Sequence, residues 1–116
     1  MSGLLILGAG GHGRVVAFTA RSMGCWSDIA FLDDRFPEIE TVDGMAVLGR
    51  FEAAAGLVGR FPAAVVAIGD NRARVELIQR LRSQGFDLPA VVHPTAVVGE
   101  PAALGAGTVV FAQCVI

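Results

Sequence analysis

The sequence predicts an α/β fold, a small parallel sheet with helices on both faces, followed by the first coil of a parallel β-helix. Three observations predict it. Short continuous apolar runs alternate with helical segments, the pattern of strands buried on both faces. A glycine-rich turn joins the first run to the first helix. Beyond residue 93, aliphatic residues recur at every sixth position.

The elements follow in order. Leu4-Leu5-Ile6-Leu7 reads as a buried strand ending at Gly8. Residues 11–23 read as a helix with Val15, Val16, Ala20 and Met23 on one face, and Gly24 is placed to stop it. Ile29-Ala30-Phe31-Leu32 forms a second strand running into Asp33 and Asp34. Residues 35–43 read as an irregular loop, 44–49 as a short extended piece and 51–58 as a weak alanine-rich helix. A third strand over 63–68 leads through Gly69, Asp70 and Asn71 into a helix over 71–84. That helix carries Val75, Ile78 and Leu81 on one stripe and meets Gly85 at its end. A fourth strand is expected over 88–92.

Composition narrows the function classes. The 116 residues suit one domain of ordinary size, and 53% hydrophobic residues supply a core. A net charge of −2 argues against broad nucleic-acid binding. No apolar run approaches the roughly 18 residues of a membrane span, and no basic start marks a secretory signal. Cys25 and Cys114 stand far apart without metal-ligand spacing, which fits reduced thiols in a cytoplasmic protein and no metal site. All nine basic residues are arginine, a residue suited to bidentate phosphate contacts.

The polar motifs cluster where strands end. Ligands of open parallel sheets bind at the carboxyl ends of strands, and those ends carry residues 8–13, Asp33 with Asp34, and 69–71. Gly8-Ala9-Gly10-Gly11-His12-Gly13 matches G-x-G-x-x-G between a strand and a helix. Such glycines let a diphosphate approach the backbone, where helix N–H groups and the helix dipole favour an anion. A turn serving only strand–helix packing would use the same residues. His12 can donate to a phosphate or a base, or bond a neighbouring carbonyl. Asp33 and Asp34 follow the loop by about twenty residues, the place of a ribose-binding acid, although an Asp pair also suits a plain turn. Asp70 or Asn71 can cap the next helix. Arg72 and Arg74 then fall in its first turn, where positive charge opposes the dipole by roughly 0.3–1 kcal/mol each. An anionic ligand there would reverse that penalty; otherwise both arginines simply face solvent.

Val92, Val98, Leu104, Val110 and Ile116 stand six apart, with Ala96, Ala102, Thr108 and Cys114 two places before the later four. This is the hexapeptide rhythm of a β-helix, whose units must stack to bury a continuous core. The tail holds scarcely one coil. Residues 1–93 are therefore expected to form one domain and 94–116 the incomplete start of a second.

These residues resemble a family. Leu5-Ile6-Leu7-Gly8-Ala9-Gly10-Gly11-His12-Gly13, Phe31-Leu32-Asp33-Asp34, Gly44-Met45-Ala46-Val47-Leu48-Gly49, Ala67-Ile68-Gly69-Asp70-Asn71 with Arg72, and His93-Pro94-Thr95-Ala96 are similar to the N-terminal part of bacterial sugar O- and N-acyltransferases. The members meant are of the sialic-acid O-acetyltransferase and bacillosamine-pathway N-acetyltransferase type. The resemblance implies a Rossmann-like domain binding a UDP-linked amino sugar and a left-handed β-helix binding acetyl-CoA between subunits of a homotrimer. It places Gly11, His12 and Gly13 on the nucleotide, Asp33 and Asp34 on the uridine side, and Gly69, Asp70 and Asn71 on the phosphates or sugar. It also implies a catalytic histidine in the β-helix beyond Ile116, a general base for which neither His12 nor His93 stands in position. The chain is thus expected to bind without turnover, with no catalytic residue and no cofactor site of its own. A nicotinamide- or nucleotide-sensing regulatory module is the alternative, and the hexapeptide tail speaks against it. A purely structural oligomerisation unit would not need polar motifs at three strand ends.

Overall fold

The computed structural model describes residues 2–24, 26–88, 91–92 and 109–110. Its centre is a three-stranded parallel sheet of β1 (Ser2–Leu7), β2 (Trp26–Leu32) and β5 (Ala63–Val66) in the order β2-β1-β5. Between β2 and β5 lies a small antiparallel hairpin of β3 (Thr41–Val42) and β4 (Met45–Ala46), then a short 3-10 helix, Phe51–Gly56. The long helices are α1 (Gly11–Met23) and α2 (Asn71–Ser83).

Leu4, Leu5, Ile6 and Leu7 of β1 are fully buried because both faces of the sheet are covered. Leu4 and Ile6 pack with Phe31, Ala63 and Val65 against Val16, Ala17 and Ala20 of α1. Leu5 and Leu7 pack with Ala30, Leu32, Ala64 and Val66 on the other face, against Leu77 and Leu81 of α2, Ala54 and Phe86. The period of two in the strands thus meets the period near 3.6 in the helices.

Register sets the position of the site. Leu7 lies opposite both Leu32 and Val66, so the loops after β1, β2 and β5 leave one edge of the sheet at the same level. The two neighbours of β1 lie on its opposite sides. The chain therefore turns one way after β1 and the other way after β2, which makes the β1/β5 crevice a topological switch point.

Several expectations need correction. Val15 and Val75 do not join the core; they are 44% and 48% exposed, and Leu77 takes the inward place on α2. Adjacent positions such as Val15 and Val16 are separated by about 100° around a helix, so both cannot face the sheet. The third strand ends at Val66 instead of Ile68, and the alanine-rich segment closes as a 3-10 helix. The extended piece at 44–49 is half of the hairpin, turned on Asp43 (φ 50°) and Gly44 (φ 81°), the Asp-Gly pair that fits a tight two-residue turn.

Among the described residues, the expected fourth strand reaches the central sheet only beside its start. Asp87 makes one parallel bridge to Ala63, and β6 (Val91–Val92) pairs instead with β7 (Val109–Val110). In the β6–β7 pair Val91 faces Val109 and Val92 faces Val110 in parallel register. That offset equals about three hexapeptides, one coil of the repeat the sequence predicts. His93 and the tail positions other than Val109–Val110 lie outside the described residues.

Candidate functional site

The loop after β1 is built from glycines with different duties. Gly8 has φ +116°, a conformation that L side chains rarely adopt, and a Cβ there would stand 2.6 Å from the Ala67 carbonyl oxygen. A Cβ on Gly13 would overlap the Gly8 carbonyl oxygen, so this glycine lets α1 close onto β1. Gly10 and Gly11 are different. The nearest atom to a Cβ on Gly10 is Arg35 Nη2 at 3.8 Å, and around Gly11 there is nothing within 4 Å. The first and last glycines of the motif hold the fold, while the middle two leave backbone open.

That open backbone starts α1. Gly10 is the N-cap, no side chain caps the helix, and its first turn carries no acidic residue. The first turn of any helix has N–H groups without intrahelical partners. At α2 the same need is met internally, because the Asp70 carboxylate accepts from the Ala73 N–H at 2.9 Å. Asp70 thus does the capping that the sequence suggests. Asn71 and Gly69 are exposed beside it, Arg72 is exposed and Arg74 is half-buried. Among the described residues, neither arginine forms an ion pair.

Three strand ends converge on the loop. Gly8 abuts Ala67 and Ile68 after β5, and the Gly8 N–H donates to the Leu32 carbonyl at 2.8 Å. The Ala9 N–H donates to Asp33 Oδ2 at 2.8 Å. Asp33 is only 6% exposed, and each of its oxygens receives two donors. Oδ1 accepts from the Arg35 N–H (2.8 Å) and Nε (2.9 Å), and Oδ2 accepts from Ala9 and from Arg35 Nη2 (3.0 Å). Asp34 is exposed, and its carboxylate accepts from the Phe51 N–H at 3.0 Å, fixing the start of the 3-10 helix. The exposed His12 stands between the open glycines and Gly13.

Sequence reasoning passes over two partners. One is Arg35, whose fork on Asp33 requires the tight turn in which the Phe36 N–H donates to the Asp33 carbonyl at 2.9 Å. The available signal was an arginine two places after an acid at a strand end. The other is Asp43, at the hairpin tip, which pairs with Arg14 of α1 at 3.1 Å. A groove of about 310 Å³ lined by Ala9, Arg14, Thr41, Val42 and Asp43 borders the glycine loop. A cavity of about 480 Å³ farther along α1, lined by Arg14, Phe18, Arg21, Ser22, Asp43 and Met45, holds none of the strand-end motifs. Among the described residues no cluster of three or more His, Cys, Asp or Glu could hold a metal ion, and no helix is long and apolar enough to cross a membrane.

The Arg35 fork, helped by the Ala9 and Arg35 N–H groups, holds the Asp33 carboxyl down at about 2 although its burial pushes the other way. A carboxyl lowered in the folded state stabilises above its unfolded value near 3.9, and that contribution fades as pH falls through the folded value. Acidification from about pH 5 to about pH 2 should therefore remove about 2 kcal/mol of stability through this group. Urea unfolding across that range checks it. Asp33→Asn should flatten the acid limb of the profile, and an unchanged limb would refute the assignment.

Comparison with known proteins places this arrangement. Residues 3–81 match the family model described as the PglD N-terminal domain. The chain is 32% identical over 114 residues to the UDP-N-acetylbacillosamine N-acetyltransferase of Bacillus subtilis (strain 168), covering 97% of this chain and 52% of that protein. Among solved structures it matches the acetyltransferase domain of PglB from Neisseria gonorrhoeae FA1090 in complex with acetyl coenzyme A, at 39% identity and a TM-score of 0.89, over 97% of this chain and 54% of that one. It also matches PerB from Caulobacter crescentus in complex with CoA and GDP-perosamine, at 36% identity and a TM-score of 0.86, over 100% of this chain and 54% of that one. A Rex-family repressor, RSP, shares the fold alone, at 16% identity and a TM-score of 0.61. The chain thus spans about half the length of these acetyltransferase relatives. With its glycine loop, strand-end acids and sheet order inside the matched span, the chain belongs to the PglD N-terminal domain family.

Proposed function

We propose that this chain is the nucleotide-sugar-binding part of an acetyl-CoA-dependent sugar acetyltransferase and that it binds a UDP-linked amino sugar. The observation that carries the reading is the start of α1: a helix N-terminus without a side-chain cap, opened by Gly10 and Gly11 at the switch point between β1 and β5. Partial positive charge and backbone donors at such a place suit a diphosphate. Gly10, Gly11, His12 and Gly13 form its cradle, with Gly13 acting through the packing that seats α1. Gly69, Asp70, Asn71, Arg72 and Arg74 border the crevice from the β5 side. Asp34 lies toward the nucleoside, while Asp33 fixes the loop from beneath. The relatives support a nucleotide sugar: one is named for a UDP-linked substrate, which favours uridine, and one is solved with GDP-perosamine and CoA.

On this reading residues 1–93 form the nucleotide-sugar domain and 94–116 begin a left-handed β-helix. The acyl-donor site and the catalytic base lie in the part of the relatives that this chain does not span. The intact enzyme is a cytoplasmic homotrimer, and this chain alone binds without turnover. Calorimetry with UDP, UDP-N-acetylglucosamine and NAD in parallel is the test. Both uridine ligands should bind and NAD should not. NAD binding without a uridine response would favour the nicotinamide-sensing alternative.

A further inference from the structure

The acid at the end of the second strand of a dinucleotide-binding domain ordinarily meets a ribose hydroxyl. Asp33 holds that place but is filled, with two donors on each oxygen and its carboxylate buried. Arg35 is the opposite. A guanidinium carries five N–H donors, and Asp33 engages Nε and one hydrogen of Nη2. Both Nη1 hydrogens and the second Nη2 hydrogen remain, on a side chain that is 56% exposed. The guanidinium faces the open backbone of the phosphate loop, with Nη2 3.8 Å from where a Cβ of Gly10 would stand. The bidentate grip removes much of the rotamer freedom that a free arginine would lose on binding.

We infer that Arg35 reads the nucleoside half of the bound nucleotide, donating from its free guanidinium edge to a ribose hydroxyl oxygen in the place where Asp33 would otherwise act. The inference rests on the proposed nucleotide-sugar reading and adds a specificity residue to it. Asp33 has two effects on the site: it anchors the loop through Ala9, and it aims the arginine.

The test is calorimetry of the chain and of its Arg35→Gln and Arg35→Lys variants with UDP, 2′,3′-dideoxy-UDP and inorganic pyrophosphate, with a thermal melt for each variant. Arg35→Gln should weaken UDP by about tenfold or more, the worth of one charge-assisted hydrogen bond. It should leave pyrophosphate and dideoxy-UDP within about twofold, because they offer no ribose hydroxyl at that edge. Arg35→Lys keeps a cation on Asp33 but loses the fork, so it should fall between; it carries the test should Arg35→Gln fail to fold. Equal loss of pyrophosphate and UDP would overturn the inference by making Arg35 a phosphate contact. Equal UDP affinity in all three proteins would overturn it while leaving the nucleotide-sugar reading intact. Failure of the unaltered chain to bind UDP would overturn both.

Discussion

Gly13→Ala should destabilise the domain by about 3 kcal/mol or more, the upper range for overpacking at a tight contact. The added Cβ would overlap the Gly8 carbonyl oxygen and stand 3.5 Å from Phe31 Cε1. Neither neighbour can move freely. Gly8 is held at φ +116° against the Ala67 carbonyl, and Phe31 is fully buried. Relief would require α1 to lift from β1, opening the layer where Val16, Ala17 and Ala20 meet Leu4 and Ile6. For a domain of this size the melting temperature should fall by about 12 °C or more. Thermal unfolding by circular dichroism measures it. A midpoint within about 2 °C of the parent would refute the close approach of α1 to β1.

The same loop shows how far the sequence can be read. Its spacing gives the strand–turn–helix and both ends of α1, because Gly11 follows the loop and Gly24 takes the left-handed C-cap at φ 72°. Spacing does not separate a packing glycine from an open one. That difference comes from what lies across the loop, namely the Gly8 carbonyl for Gly13 and empty space for Gly11.

A similar boundary runs through the acids. Asp33 is legible as a strand-end carboxylate, but its engagement depends on a turn that brings Arg35 back over it and on the Ala9 N–H from 24 residues earlier. The hairpin was legible in principle, since Asp43 and Gly44 are a strong turn pair. Its strands are only two residues each, too short to show alternation. The hexapeptide rhythm reaches the described structure only as the parallel pairing of Val91–Val92 with Val109–Val110. Among the expected core positions, Val15 and Val75 turn outward because a helix packed on one side of a sheet buries only one stripe.

Gly11→Val should abolish binding of UDP and pyrophosphate by the chain while leaving its stability intact. Gly11 is the first residue of α1, and outside its chain neighbours and the backbone of α1 no atom lies within 4 Å of a Cβ placed there. Its φ is outside the left-handed range, so the substitution adds no backbone strain, and its Cβ faces open space. Valine replaces the poorer helix former, and the melting temperature should stay level or rise slightly. The branched side chain would instead occupy the space from which a diphosphate reaches the helix N–H groups, separating anion and donors by the width of an isopropyl group. Charge-assisted hydrogen bonds act at about 2.7–2.9 Å, so that displacement breaks the contacts outright, and the loss should exceed about a hundredfold, or roughly 2.7 kcal/mol. Calorimetry beside a melt of the same sample separates the two effects. Retained UDP binding would refute the glycine loop as the phosphate site and leave it a packing turn. Loss of both binding and folding would instead show that Gly11, like Gly13, is needed by the fold itself.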